Sequence, residues 1–66
     1  MSYIIDDDMY ARVIDFLADN EGQPAVRLAM AMDEDGAKVK RVLREAEQLG
    51  HVVRTGRARG TLWWLG

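Results

Sequence analysis

The sequence contains no cysteine, and histidine, serine and proline occur once each. Without thiols the chain can form neither a disulfide nor a cysteine-ligated metal site, and a single histidine cannot form a histidine cluster within one chain. The only serine, Ser2, lies near the N-terminus, and the acidic residues are grouped at the ends of predicted helices with no evident base beside them. We therefore predict no catalytic residue, no metal, no cofactor and no small-molecule substrate.

Long hydrophobic runs are also absent. No apolar stretch approaches the roughly 20 residues that cross a membrane, and the acidic N-terminus does not resemble a signal peptide. Hydrophobic residues nevertheless make up 48% of the chain without any low-complexity tract, which argues against disorder. Since 66 residues leave room for one core, we predict a single domain over residues 1–66. We expect an intracellular protein, located in the cytoplasm or nucleoid, or in the nucleus of a eukaryote.

Charge is distributed unevenly along the chain, although the net charge is only −2. Residues 1–35 contain nine acidic and two basic residues, a balance of −7. Residues 36–66 contain seven basic and two acidic residues, a balance of +5. Such asymmetry indicates that the second half meets a polyanion.

The first predicted helix runs from Asp7 to Asp19. Apolar residues recur there at spacings of three and four, which define one face of a helix. Acidic residues at positions 6–8 suit its positive N-terminal end, and Gly22 can take the left-handed conformation that ends it. The expected inward face consists of Met9, Tyr10, Val13, Ile14, Phe16 and Leu17.

The second helix is predicted with Pro24 in its first turn, where the missing proline N–H is not needed. It ends before the acidic turn of residues 33–36. We expect Val26 and Met30 to share a separate, partly exposed face. The expected inward residues are Ala25, Leu28, Ala29 and Met32.

The third helix is predicted from about Gly36 to Leu49, with Asp35 as its N-cap and Gly50 as its closing glycine. At about 100° per residue, its two sides differ in chemistry. The apolar side consists of Val39, Val42, Leu43, Ala46 and Leu49. The opposite side consists of Ala37, Lys40, Arg41, Arg44 and Gln48.

Beyond the third helix the apolar period shortens to two residues, which is typical of strands. The predicted strands cover His51–Thr55 and Thr61–Leu65. Between them, Gly56–Gly60 forms a hairpin tip that carries Arg57 and Arg59. Three helices followed by a two-stranded β-hairpin wing are the elements of a winged helix-turn-helix, which is an α+β fold.

The basic residues of the second half form the predicted binding surface. Their cations neutralise phosphates, and Arg41 and Arg44 can also bind guanine edges through two hydrogen bonds. In the alternative interpretation, the helix cations are a solvated face paired with Glu45, Glu47 or the acidic turn, and the hairpin arginines only prevent pairing at an exposed strand edge. The residues predicted to contact nucleic acid are Lys38, Lys40, Arg41, Arg44, Arg54, Arg57 and Arg59.

Two further features of the second half leave alternatives open. Trp63 and Trp64 are adjacent in a strand, so their rings lie on opposite faces. One should pack into the core, and the sequence does not decide which. The other is available to cover the wing, to stack on a base or sugar, or to join a protein interface. His51 is expected to form a local hydrogen bond at the start of its strand.

The segment Lys38–Gly50 (KVKRVLREAEQLG), followed by a hairpin that ends in Leu62, Trp63 and Trp64, resembles the winged-helix superfamily. Within that superfamily it is most similar to the Zα-type domains of double-stranded-RNA adenosine deaminases and their poxviral relatives. The resemblance covers nearly the whole chain, from Tyr3 onward. It implies a winged-helix fold whose third helix faces a nucleic-acid backbone.

The Zα resemblance extends to individual positions of the third helix and wing. The arginine of the Zα recognition helix falls on Arg41, and the family's tryptophan matches Trp63 or Trp64. Lys40 stands where the family has asparagine, and Arg44 stands where it has tyrosine. Gly60, Thr61 and Leu62 replace the paired prolines of the wing.

We therefore predict a small DNA-binding winged-helix protein, a transcriptional regulator that contacts double-stranded DNA through the third helix and the basic wing. The alternative is a protein-interaction module. Its acidic N-terminal half would bind a basic partner such as a polymerase subunit, or a second copy, with Tyr3, Ile4 and Ile5 adding apolar contacts. Binding to Z-form or double-stranded RNA ranks third, because the asparagine, tyrosine and prolines of the Zα motif are replaced.

Overall fold

The computed structural model describes the backbone of residues 7–66 and all of their side chains except those at positions 7 and 59. Apart from the contact predicted for the Arg59 side chain, two predictions lie outside the described residues. One is the apolar contact surface of Tyr3, Ile4 and Ile5, and the other is the placement of Asp6 before the first helix.

Three helices precede a two-stranded antiparallel hairpin, which confirms the predicted α+β winged helix-turn-helix. In the described part of the chain, no helix is long and apolar enough to cross a bilayer. The elements in chain order are α1 (Asp7–Asp19), α2 (Ala25–Met32), α3 (Gly36–Gln48), β1 (Val52–Thr55), a short 3-10 turn (Ala58–Gly60) and β2 (Leu62–Leu65).

The helix ends follow from local side-chain and backbone chemistry. Asp35 caps α3 as predicted, because its Oδ1 accepts a hydrogen bond from the backbone N–H of Ala37 at 3.1 Å. The prediction for Pro24 was wrong by one position: its backbone is extended, with ψ of 153°, so it is the N-cap of α2 and lies before the first turn. Its carbonyl accepts the first bond of the helix, from the N–H of Arg27 at 3.0 Å.

The core lies between the three helices and the inner face of the hairpin. The apolar stripes of the helices converge there as predicted, with one exception. Leu49, expected inside, is 58% exposed because α3 ends at Gln48 and Leu49 is its C-cap. Val26 and Met30 are exposed, as expected for a separate face of α2. The buried residues are Met9, Val13, Leu17, Leu28, Ala29, Met32, Val39, Val42, Leu43, Ala46, Val52 and Trp63.

The hairpin is tied to the segment that leads into α2. The strands pair with Val52 opposite Leu65 and Thr55 opposite Leu62, so the predicted strand residues His51 and Thr61 fall outside the ladder. On its other edge, β2 forms a bridge to Gln23, whose carbonyl accepts the N–H of Trp63 at 2.9 Å. This bridge brings the start of α2 beside the wing.

Candidate nucleic-acid interface

The basic side chains of α3 are exposed. Burial of Val39 and Leu43 turns Lys38, Lys40, Arg41 and Arg44 outward. Among the described residues, ion pairs join Arg12 to Glu34 and Arg54 to Glu47, and none involves a basic residue of α3. The alternative interpretation expected neighbouring acids to neutralise these helix cations. Within the described residues, no such ion pair is formed.

The four cations of α3 form a belt across its exposed face. Lys40 and Arg44 are one turn apart and share one flank, while Lys38 lies about 160° away from Lys40 on the opposite flank. Arg41 lies between Lys38 and Arg44, about 60° from each. A ligand in contact with Lys40 and Arg44 therefore reaches Arg41 before it reaches Lys38.

A groove runs between α3 and the hairpin, and we refer to it as the basic groove. It has a volume of about 480 Å³ and opens to solvent. Three elements bring one basic flank of α3, the inner side of β1 and the start of α2 together around it. Its lining residues are Pro24, Ala25, Val26, Lys40, Arg44, Arg54, Ala58, Thr61 and Trp63.

Arg54 is held in the basic groove by two neighbours. Its Nε lies 3.2 Å from Oε2 of Glu47, and its Cζ lies 5.8 Å from the ring centroid of Trp63. The ion pair is half-exposed and contributes little to stability by itself. The guanidinium lies near the Trp63 ring, and the contact through Nε leaves both terminal nitrogens free of Glu47.

The structure decides which tryptophan is buried. Trp63 is 5% exposed and forms the floor of the basic groove. Trp64 lies on the outer face of the hairpin, where it is half-buried and its Nε1 donates to Oγ1 of Thr55 at 2.9 Å. Its ring covers Gly22, which has a φ of +76° and leaves no room for a Cβ.

The hairpin tip is a tight turn. Gly56 has a φ of +78°, and a Cβ at this position would fall against the carbonyl oxygen of Gly60. Ala58 is also left-handed, with a φ of 54°, and it lines the basic groove with Thr61. Arg57 is exposed, whereas the side chain of Arg59 lies outside the described part of the chain. The wing therefore presents Arg57 on a closed turn next to the groove.

The backbone N–H of His51 forms the expected local hydrogen bond, to the carbonyl of Ala46 at 2.9 Å, whereas its side chain bonds a distant residue. Its Nδ1 lies 2.6 Å from the hydroxyl of Tyr10, and the two rings meet edge-on with centroids 5.8 Å apart. Burial raises the pKa of Tyr10, and the negative charge of Glu45 raises it further. The pair joins α1 to the corner between α3 and β1, away from the basic groove.

Five residues of the basic groove could not be singled out from the sequence. Pro24, Ala25, Val26, Ala58 and Thr61 line the groove without any charge or motif that would single them out. Their placement depends on the bridge between Gln23 and Trp63, which joins residues 40 positions apart. In the described part of the chain, no three histidine or acidic side chains are grouped to hold a metal ion.

No protein-family model matches the chain, and the search of curated proteins finds no match. Solved structures do match it along nearly its whole length. The Zalpha domain of ORF112 from cyprinid herpesvirus 3, in a study of its binding mode to Z-DNA, is 22% identical with a TM-score of 0.85, over 96% of this chain and 100% of that domain.

Two further solved structures are Zalpha domains of fish PKZ. The domain from Carassius auratus, in complex with Z-DNA, is 25% identical with a TM-score of 0.84, over 91% of this chain and 95% of that one. The apo domain from zebrafish is 17% identical with a TM-score of 0.83, over 89% and 92%. These similarities show a winged helix of the Zα type.

Proposed function

We propose that this domain binds the phosphate backbone of double-stranded nucleic acid, DNA in particular, through the basic groove and the exposed face of α3. One observation carries the proposal: Lys40, Arg44 and Arg54 come from two different elements and line the same groove, whose floor is Trp63. Cations that converge on one groove are suited to successive phosphates, whereas isolated surface cations are not.

The proposed contact residues differ in how far their side chains are positioned before the nucleic acid binds. Arg54 is already positioned by Glu47 and Trp63, so it loses little freedom when it binds a phosphate. Lys40 and Arg44 are exposed, and Arg41 extends the contact along the helix. We place Lys38 and Arg57 at the edges of the proposed surface, where they add long-range attraction, and the contact expected of Arg59 from the sequence stays a prediction.

We further propose that the domain prefers the left-handed Z form of the duplex. Backbone contacts carry little sequence information, but they do respond to the spacing of phosphates, which differs between helical forms. Two of the similar solved domains were studied with Z-DNA. From sequence, Z-form binding ranked third because the asparagine, tyrosine and prolines of the Zα motif are replaced, and the overall similarity to these solved domains favours a higher rank for it.

The residues that replace the Zα motif in α3 make the proposed surface more basic. Arg44 puts a cation where the family has tyrosine, and Lys40 puts one where it has asparagine. We therefore expect tighter backbone contact with a stronger dependence on salt. We also propose a role in transcription regulation and an intracellular location, in the cytoplasm or nucleoid or in the nucleus of a eukaryote, because these are where duplexes are found.

The test combines circular dichroism with fluorescence anisotropy on an alternating CG duplex and a mixed-sequence duplex of equal length. Binding with inversion of the CG duplex spectrum supports both parts of the proposal. Binding without inversion, and with equal affinity for both duplexes, overturns the Z-form preference but retains duplex binding. Absence of binding to either duplex at low salt overturns the proposal and leaves the protein-interaction alternative.

Charge-removing variants inside and outside the basic groove assign the surface. The double variant Lys40→Ala with Arg44→Ala should abolish the spectral change. Arg27→Ala removes a cation from the exposed side of α2 outside the basic groove, and it should behave like the unmodified protein. Equal effects of the two changes would show that the groove has no special role.

A further inference from the structure

A second groove, between α2 and the start of α3, continues the basic groove. We call it the α2–α3 groove. It has a volume of about 580 Å³, within the range of small-molecule sites, and it shares Ala25, Val26 and Lys40 with the basic groove. Its lining residues are Ala25, Val26, Ala29, Met30, Asp33, Glu34, Gly36, Ala37 and Lys40.

The charge and polarity of the lining residues change from one end of the two joined grooves to the other. Cations line the basic groove, an apolar stretch follows, and carboxylates lie at the far end. In the apolar stretch, Val26 is 63% exposed and Met30 is 74% exposed. At the acidic end, Glu34 is engaged by Arg12 at 3.4 Å, while Asp33 is exposed.

A nucleotide carries groups that match these three regions in the same order. Its phosphate suits Lys40, its base has two apolar faces, and the edge of the base carries N–H donors that a carboxylate accepts. Met30 adds a thioether, and thioether sulfur makes favourable contacts with aromatic rings. A paired base presents neither its faces nor its pairing edge, so only an unpaired base can use this groove.

We propose that the α2–α3 groove binds an unpaired nucleotide that continues from the duplex held in the basic groove. This inference rests on the proposed function. The base lies against Val26 and Met30, and its donor edge meets Asp33. Guanine is the preferred base, because its adjacent imino and amino groups donate two parallel hydrogen bonds to one carboxylate. Thymine has a single imino donor between two carbonyl oxygens, and those oxygens repel the carboxylate.

The experiment measures anisotropy with four forms of one duplex: blunt, or carrying a single unpaired guanine, thymine or abasic spacer. We expect the protein to bind the guanine form about tenfold more tightly than the blunt form, a gain typical of one well-paired base contact. The thymine and abasic forms should gain less than guanine.

Variants then assign the gain to the groove. Asp33→Asn keeps a residue that tolerates the left-handed backbone, where φ is 55°, and it should remove most of the guanine preference. Met30→Ala should weaken every form that has an unpaired base. Two controls should leave the gain unchanged: Asp15→Asn removes an exposed acid of α1, and Leu49→Ala removes an exposed apolar side chain outside both grooves.

The outcomes separate this inference from the proposed function. Equal affinity for the blunt and guanine forms overturns the nucleotide site but leaves duplex binding intact. An equal gain for the guanine and abasic forms also overturns it, because the gain would then come from the backbone alone. Unchanged titrations of the Met30→Ala variant likewise overturn the site, because the base would then not lie against this side chain. Failure to bind any form overturns the proposed function itself.

Discussion

The hydroxyl of Tyr10 on α1 lies 2.6 Å from Nδ1 of His51, at the corner between α3 and β1. This contact joins the first helix to the point where the chain changes from helix to strand. The phenol donates its proton when the imidazole nitrogen is unprotonated. The pair therefore ties α1 to the base of the hairpin at a point outside the basic groove.

Tyr10→Phe should lower stability at neutral pH by about 0.5–1.5 kcal/mol, because the hydrogen bond to His51 is lost. The raised pKa of Tyr10 means that the folded state holds this proton more tightly than the unfolded state. The stabilisation is complete below the usual tyrosine pKa, about 10, and is lost as the pH rises through the raised value. Urea unfolding at a series of pH values should show the two proteins converging above about pH 10. Parallel curves would contradict this account.

Lys40→Ala and Arg44→Ala should each reduce the salt dependence of duplex binding. Each phosphate contact contributes about 0.9 to the slope of log K against log salt on B-form DNA, so each variant should lose about one unit of slope. Lys38→Ala, on the opposite flank of α3, should lose less. Anisotropy titrations at several salt concentrations measure the slopes, and a larger loss for Lys38→Ala would move the interface to the other flank.

Gly56→Ala should destabilise the wing. The residue has a φ of +78°, and its new Cβ would meet the carbonyl of Gly60, so we expect a loss of about 2 kcal/mol or more. Gly36→Ala is the matched control, because a Cβ at this position at the start of α3 has no atom within 4 Å apart from its chain neighbours and the adjacent helix backbone. Helix propensity predicts that this control is neutral or gains up to about 1 kcal/mol. Thermal unfolding of both variants measures these changes in stability. Unchanged stability of the Gly56→Ala variant would mean that the turn opens readily to accept the new Cβ.

Asp35→Ala should cost about 1 kcal/mol, because the backbone N–H of Ala37 loses its acceptor. Asp35→Asn should keep most of the stability, since asparagine caps helices about as well as aspartate. Chemical denaturation compares the two. A large loss in the asparagine variant as well would assign the effect of Asp35 to its charge at the positive end of α3.

The helices could be predicted closely because their signals are local. The bounds of α1 agree with its apolar spacing, and Asp35 and Gly50 mark the two ends of α3 as expected. The exposed cations of α3 could also be predicted, because a helix with one buried stripe must turn the opposite side to solvent. Pro24 was misplaced by one residue because the N-cap and the first turn both accommodate proline.

The groove residues could not be predicted, because their proximity is set by contacts between distant segments. Gln23 and Trp63 bond across the start of α2 and β2, and no periodicity in either segment indicates that bridge. The residues that contact Arg54 could not be predicted from the sequence for the same reason. Glu47 and Trp63 both reach it only after β1 folds back along α3.

By itself, the amino-acid sequence determined the order of the elements, the basic side of α3 and the positive charge of the second half, because each depends on residues close together in the chain. Only the tertiary structure decided that Trp63 is buried and Trp64 covers Gly22, that His51 bonds Tyr10, and that two grooves join along α2. The alternation of side chains along a strand indicates only that two adjacent residues point to opposite faces of the hairpin. Which face meets the core depends on how the hairpin packs against the helices.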